Sequence, residues 1–237
     1  MSEGKLFREE KAVMLKLAHA FLRNKYSHFF VSILLLFLLN PLFDKEGFPF
    51  LSFLVLLIML TVLWSLKLRK RLFITCLIMA AVAFVFNFLF LNSVIGGDKN
   101  LSLSWGFITI LISALFLVLV ISILFKRIFA EKNVTVDTIQ GGASLYILMG
   151  ILWAFVYQIA VFISPHSLVM KSGPLNFAEI MYFSFVTLAT LGYGDITPAT
   201  DFVRNLAVME AILGQLFLTV FIARLIGLQL FKPLLRK

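Results

Sequence analysis

The hexapeptide Thr190-Leu191-Gly192-Tyr193-Gly194-Asp195 lies between two long apolar segments, at about 144–164 and 201–228. No other feature constrains the fold so tightly. Non-helical backbone reaches membrane depth only where protein buries it or where it lines a water-filled path. Gly192 and Gly194 allow positive φ values that other residues avoid, so successive carbonyls can be turned to one side. A ring of carbonyls turned that way suits the replacement of a cation's water shell.

Six segments approach the ~20 residues that a bilayer core requires, at about 26–43, 48–66, 72–95, 101–125, 144–164 and 201–228. Of the 237 residues, 61% are hydrophobic, against about 45–50% in a soluble domain. The expected fold class is all-α integral membrane, with six transmembrane helices per subunit. Between segments five and six a shorter apolar helix precedes the hexapeptide, which reads as a re-entrant pore helix and selectivity-filter loop. The expected organisation is a cytoplasmic segment at 1–25, a four-helix peripheral region at 26–125, a cytoplasmic linker at 126–143, a pore module at 144–228 and a short tail at 229–237. Asp44-Lys45-Glu46-Gly47 turns the first two segments into a hairpin. Within the linker, Thr135 is placed to cap a short helix, and Gly141-Gly142 to turn the chain into segment five. Residues 5–25 read either as an amphipathic helix on the membrane surface or as a solvated basic tail. The single cysteine, Cys76, excludes an intrachain disulfide.

The net charge of +9 comes from basic residues that flank the spans, so no nucleic-acid partner is expected. With the N-terminus inside, 17 of the 21 Lys and Arg fall on the inner side, and only Lys45, Lys99, Lys171 and Arg204 fall outside. The positive-inside rule then gives cytoplasmic N- and C-termini, in the plasma (inner) membrane, and puts the hexapeptide at the outer face.

Residues 177–189 form an aromatic-rich helix whose C-terminus leads into the hexapeptide. A helix C-terminus carries roughly half a negative charge, which favours a cation there. Glu179 stands in its first turn, where a carboxylate suits the opposite end of the dipole. Residues 144–228 resemble the pore module of tetrameric potassium channels, and the run Glu210 to Leu228 resembles small bacterial six-segment members. The resemblance implies that the carbonyls of Thr190, Leu191, Gly192 and Tyr193, with the Thr190 hydroxyl, bind potassium as the permeant ion. Tyr182, Phe183, Thr187, Gly194, Asp195 and Glu210 then support the filter, and Gly214 falls where these channels often have a hinge glycine. Phe183 stands where many members have a tryptophan that donates a hydrogen bond to the filter tyrosine, which phenylalanine cannot do. One filter strand cannot enclose an ion, so a homotetramer is expected, with membrane lipids as the other partners and no cofactor.

Glu210 is the one acidic residue well inside a span, and such groups are costly. It stands either behind the filter, bonded to Ser184 or Thr187, or toward the cavity, where it attracts cations. Leu218, Ile222 and Ile226 recur every four residues, as an apolar gate or as ordinary packing. Segment four, 101–125, holds no Lys, Arg, Asp or Glu, so no steep voltage dependence is expected. No metal cluster, nucleophile arrangement or phosphate loop is present, and no enzymatic activity is expected.

Overall fold

The structure, a computed structural model, describes residues 26–28, 30–35, 70–97, 99–171, 173 and 175–231. In order, the elements are α1 (Lys70–Ile95), α2 (Lys99–Ala130), α3 (Val136–Ile163), β1 (Leu168–Met170), α4 (Phe177–Leu188), β2 (Ile196–Pro198) and α5 (Asp201–Phe231). Residues 27–28 and 30–35, the start of the first expected segment, are also helical. The second segment, the turn at 44–47, the 5–25 stretch and residues 232–237 lie outside the described residues.

Four helical stretches among the described residues are long and apolar enough to cross a membrane: Lys70–Phe90, Leu103–Ala130, Val136–Ile163 and Asp201–Leu230. They are the expected segments three to six. These helices are apolar nearly all round, as membrane-spanning helices are. Their burial is therefore uneven. On α1, Phe84 and Phe88 are more than half exposed, whereas Phe116, Leu117 and Val120 of α2 are fully buried.

The connection between α2 and α3 differs from the sequence expectation. Only residues 131–135 lie between the two helices, and 126–143 is otherwise helical. Thr135 caps α3 itself, since its hydroxyl accepts the Thr138 N–H at 3.2 Å. Thr138 Oγ1 in turn accepts the Thr135 N–H at 3.4 Å, which closes a reciprocal cap. Gly141 and Gly142 lie inside α3 and do not turn the chain. Their reason is close packing. A Cβ on Gly141 would meet Ile128 Cδ1 at 3.0 Å, and one on Gly142 would lie within the Phe221 ring's space, 2.0 Å from its Cζ. The Tyr26 N–H donates to Asp137 Oδ1 at 2.7 Å, and the Ser27 hydroxyl donates to Gln140. These bonds attach the 26–35 stretch to α3.

At the other end of α3, β1 and β2 pair antiparallel, with Leu168 opposite Pro198, Val169 opposite Thr197 and Met170 opposite Ile196. Two further bonds lengthen the ladder, from Lys171 N–H to the Asp195 carbonyl at 3.1 Å and from Ala199 N–H to the Ser167 carbonyl at 2.9 Å. The chain therefore leaves this ribbon, runs through α4 and the hexapeptide, and returns to it.

Candidate functional site

The helix α4 is set at both ends. Asn176 caps its start by accepting the Glu179 N–H at 2.9 Å. At its far end the Ala189 N–H reaches the Phe185 carbonyl at 3.0 Å and the Leu191 N–H reaches the Val186 carbonyl at 2.8 Å. The Tyr146 hydroxyl of α3 donates to the Leu188 carbonyl at 3.2 Å. That carbonyl is one of the groups a helix C-terminus leaves without an intrahelical partner.

Beyond α4 the backbone alternates. Thr190, Gly192 and Gly194 have φ of 59°, 61° and 72°, whereas Leu191 and Tyr193 are not in that region. Alternation of this kind turns successive peptide groups to a common side, as the two glycines led one to expect. Thr190 is different. A β-branched residue at positive φ is strained, and such strain clusters at functional sites. Nothing in the sequence signalled it. An added Cβ at Gly192 or Gly194 would meet nothing within 4 Å, and Leu191 and Tyr193 are 56% and 66% exposed. Within one chain the hexapeptide thus has a held foot and a free flank.

Asp195 ends the hexapeptide. Its Oδ1 accepts the Ile196 N–H at 3.1 Å. The Tyr182 hydroxyl, foremost, then backbone N–H groups and the Lys171 charge hold this carboxyl below the usual aspartate range. A depressed carboxylate keeps its bracing contact above the ordinary pKa of about 3.9 and loses it as pH falls through the lowered value. Tyr182→Phe is expected to return the titration of Asp195 toward that ordinary value. Carbon-detected NMR of the Asp195 carboxyl would read this, and an unmoved titration would refute the Tyr182 contact.

Glu210 of α5 is fully buried. Its Oε2 lies 2.6 Å from the Tyr157 hydroxyl and its Oε1 2.6 Å from the Ser184 hydroxyl. The structure therefore places it between α3, α4 and α5, bonded to Ser184. Thr187 does not bond to it. Ser184 also approaches the Gly150 carbonyl at 2.8 Å. The helices α3 and α4 are close here because Gly150 has no side chain, and a Cβ on it would come within 2.7 Å of the Phe185 ring. Phe183 is buried edge-on to Tyr157, with ring centroids 5.0 Å apart. Sequence reasoning missed Tyr157, Tyr146 and Gly150. The signal was available for the tyrosines, since a polar tip inside a span needs a partner.

Gly214 is buried against α4. A Cβ there would stand 2.6 Å from the Leu188 backbone carbonyl oxygen. Leu218 is partly buried against the core, and Ile222 and Ile226 are 53% and 54% exposed along the same helix. Among the described residues no group of three His, Cys, Asp or Glu is placed to hold a metal ion.

The family described as "Ion channel" matches residues 145–228, which span most of α3, the ribbon, α4, the hexapeptide and most of α5. The "Two pore potassium channel c" of Oryza sativa subsp. japonica is 33% identical over 64 residues, 27% of this chain and 14% of that protein. The "Inward rectifier potassium channel Kirbac3.1" of Paramagnetospirillum magnetotacticum is 30% identical over 76 residues, 32% of this chain and 24% of that protein. The chain thus spans a quarter or less of the length of these relatives. No solved structure matches. The module formed by α3, α4, the hexapeptide and α5 is the part of the chain that matches an ion-channel family. Over this module the chain is similar to proteins of the potassium-channel superfamily.

Proposed function

We propose that this chain forms a potassium-selective channel that lets the ion pass down its electrochemical gradient. The observation that carries the reading is the alternating backbone at Thr190, Gly192 and Gly194 at the C-terminus of α4. Carbonyls of Thr190, Leu191, Gly192 and Tyr193 replace the ion's water, and the dipole of α4 favours a cation at its approach. The segment from α4 to β2 is a re-entrant pore loop.

The site is completed by a homotetramer, because one strand cannot surround an ion. The free flank of the hexapeptide, with Leu191 and Tyr193 exposed in the single chain, is the surface that other copies cover. Basic-residue placement supports cytoplasmic termini and an outward-facing Asp195 in the plasma membrane. Lipid is the remaining partner. An apolar cavity of about 490 Å³ between α2, α3 and α5, with Ile121, Met149 and Leu216 in its wall, suits acyl chains. The uncharged 101–125 stretch of α2 gives a membrane field nothing to move, so gating is not steeply voltage-driven. On this reading Leu218, Ile222 and Ile226 line the inner end of the pore.

Potassium flux into liposomes, with sodium as competitor and barium as blocker, tests the proposal. Selective, barium-sensitive flux that varies shallowly with imposed potential is the expected result. Equal sodium and potassium flux would make it an unselective cation channel. No flux under any potential would make it a non-conducting subunit.

A further inference from the structure

Two short contacts meet at Glu210, Tyr157 Oη to Glu210 Oε2 at 2.6 Å and Ser184 Oγ to Glu210 Oε1 at 2.6 Å, and a third continues from Ser184 Oγ to the Gly150 carbonyl oxygen at 2.8 Å. Each joins two oxygens at hydrogen-bond distance and so requires one proton. The Tyr157 and Ser184 hydroxyls hold one proton each. The Gly150 carbonyl can only accept. With Glu210 ionised, two protons must serve three contacts, and one pair of oxygens faces each other with lone pairs alone. With Glu210 protonated on Oε1, the count closes. The carboxyl donates to Ser184, Ser184 donates to Gly150, and Tyr157 donates to Oε2.

Burial points the same way. Glu210, Ser184 and Tyr157 are all fully buried, and among the described residues Glu210 bonds to hydroxyls and forms no salt bridge. An ionised carboxylate without a cationic partner is expensive at such a site, whereas a neutral acid with both oxygens bonded is not.

We propose that Glu210 is held as a neutral carboxylic acid and serves as a positioning residue that locks α4 between α3 and α5. Its proton begins a short directed chain: α5 donates to α4 through Ser184, and α4 donates to α3 through Gly150. Tyr157 closes the arrangement from α3. All three helices of the pore module are joined behind the hexapeptide by groups that never touch the ion. The height of α4, and with it the foot of the filter, is set by this chain. The inference rests on the proposed function for its consequence in ion flux, but not for the proton itself.

Infrared spectroscopy of the purified full chain, with carbon-13 in the glutamate carboxyls, reads the proton directly. A protonated-acid carbonyl band that disappears in Glu210→Gln is expected. An unchanged spectrum overturns the proposal. Glu210→Gln keeps the pattern, because its amide N–H donates to Ser184 and its carbonyl accepts from Tyr157. It is expected to retain potassium flux within about threefold of the unmutated chain, whereas Glu210→Ala loses tenfold or more through unpaired hydroxyls. Equal loss in both variants, with native mass showing intact assemblies, overturns the positioning role. If the unmutated chain carries no potassium, the proposed function fails, and the infrared band still decides the state of Glu210.

Discussion

Gly214→Ala is expected to cut potassium flux by roughly tenfold or more, the equivalent of about 1.4 kcal/mol. The added methyl would stand 2.6 Å from the Leu188 carbonyl oxygen, 2.9 Å from Leu188 Cδ1 and 3.3 Å from its Cγ. A side-chain end can swing aside, but a backbone oxygen cannot move without its peptide. Overpacking of this kind usually costs about 1–3 kcal/mol. Here the cost has a direction. The Leu188 carbonyl is the group that Tyr146 holds, and Leu188 stands two residues before strained Thr190. Pushing it displaces the start of the hexapeptide. Gly227 on the same helix is the control, since a Cβ there meets nothing within 4 Å. Gly227→Ala should leave flux intact and strengthen the helix by up to about 1 kcal/mol. The hinge role that resemblance gives Gly214 makes a different prediction. A lost hinge hinders opening but leaves potassium binding to the closed filter unchanged. Calorimetry of potassium binding to Gly214→Ala separates the two, and unchanged binding would sink the packing account.

Arg224→Met is expected to release α5 from α2, with a cost on the order of 2–3 kcal/mol. Arg224 lies 23 residues into α5, roughly 35 Å from its start at 1.5 Å per residue. Its guanidinium donates to the carbonyls of Ile128 at 3.0 Å, Phe129 at 2.7 Å and Glu131 at 2.7 Å. It also stacks over the Phe129 ring at 5.0 Å. Those carbonyls lie in and just beyond the last turn of α2, where a helix presents carbonyls that lack an i+4 partner and carries partial negative charge. A single arginine therefore caps one helix from another. Lysine cannot span three carbonyls with a planar fork, so Arg224→Lys should recover only part of the loss. Hydrogen exchange at 128–135 reads the effect. A loss of about 2 kcal/mol corresponds to roughly thirtyfold faster exchange, and unchanged protection would show that Arg224 holds nothing. If the helix bearing Leu218, Ile222 and Ile226 moves to open the pore, it must carry α2 or break this cap. The helix whose 101–125 stretch is uncharged is thus held mechanically to α5, and flux should change in the variant.

The membrane-length helices and the turned backbone of the hexapeptide were readable because each rests on a local signal. Length and apolarity give α1, α2, α3 and α5, and the two glycines mark where backbone must turn. For Glu210 the sequence left two placements open, with Ser184, Thr187 or a cavity as its surroundings, and the bond to Ser184 came from the structure. Other features were hidden because they depend on pairs of residues far apart in the chain. Gly141 and Gly142 look like a turn until Ile128 and Phe221 are seen against them. Arg224 looks like one more basic residue on the inner side until the end of α2 is placed beside it. The ribbon was missed because three-residue strands have no periodicity to detect, and the Thr190 backbone because strain is a property of the assembled site.

The β1–β2 ribbon has a consequence for tolerance of change. It clasps the two ends of about 25 residues, from Lys171 to Asp195, into a closed circuit. Lengthening such a circuit is inexpensive, at about 0.6 kcal/mol for each doubling, so extra residues at 172–175 would bulge outward and leave the ribbon's register intact. An added residue within the ribbon is another matter. A slip of one position would exchange the faces of Val169 and Met170 and draw Asp195 along the ladder. The clasp thus divides this stretch into a part free to diversify and a part whose count of residues is fixed.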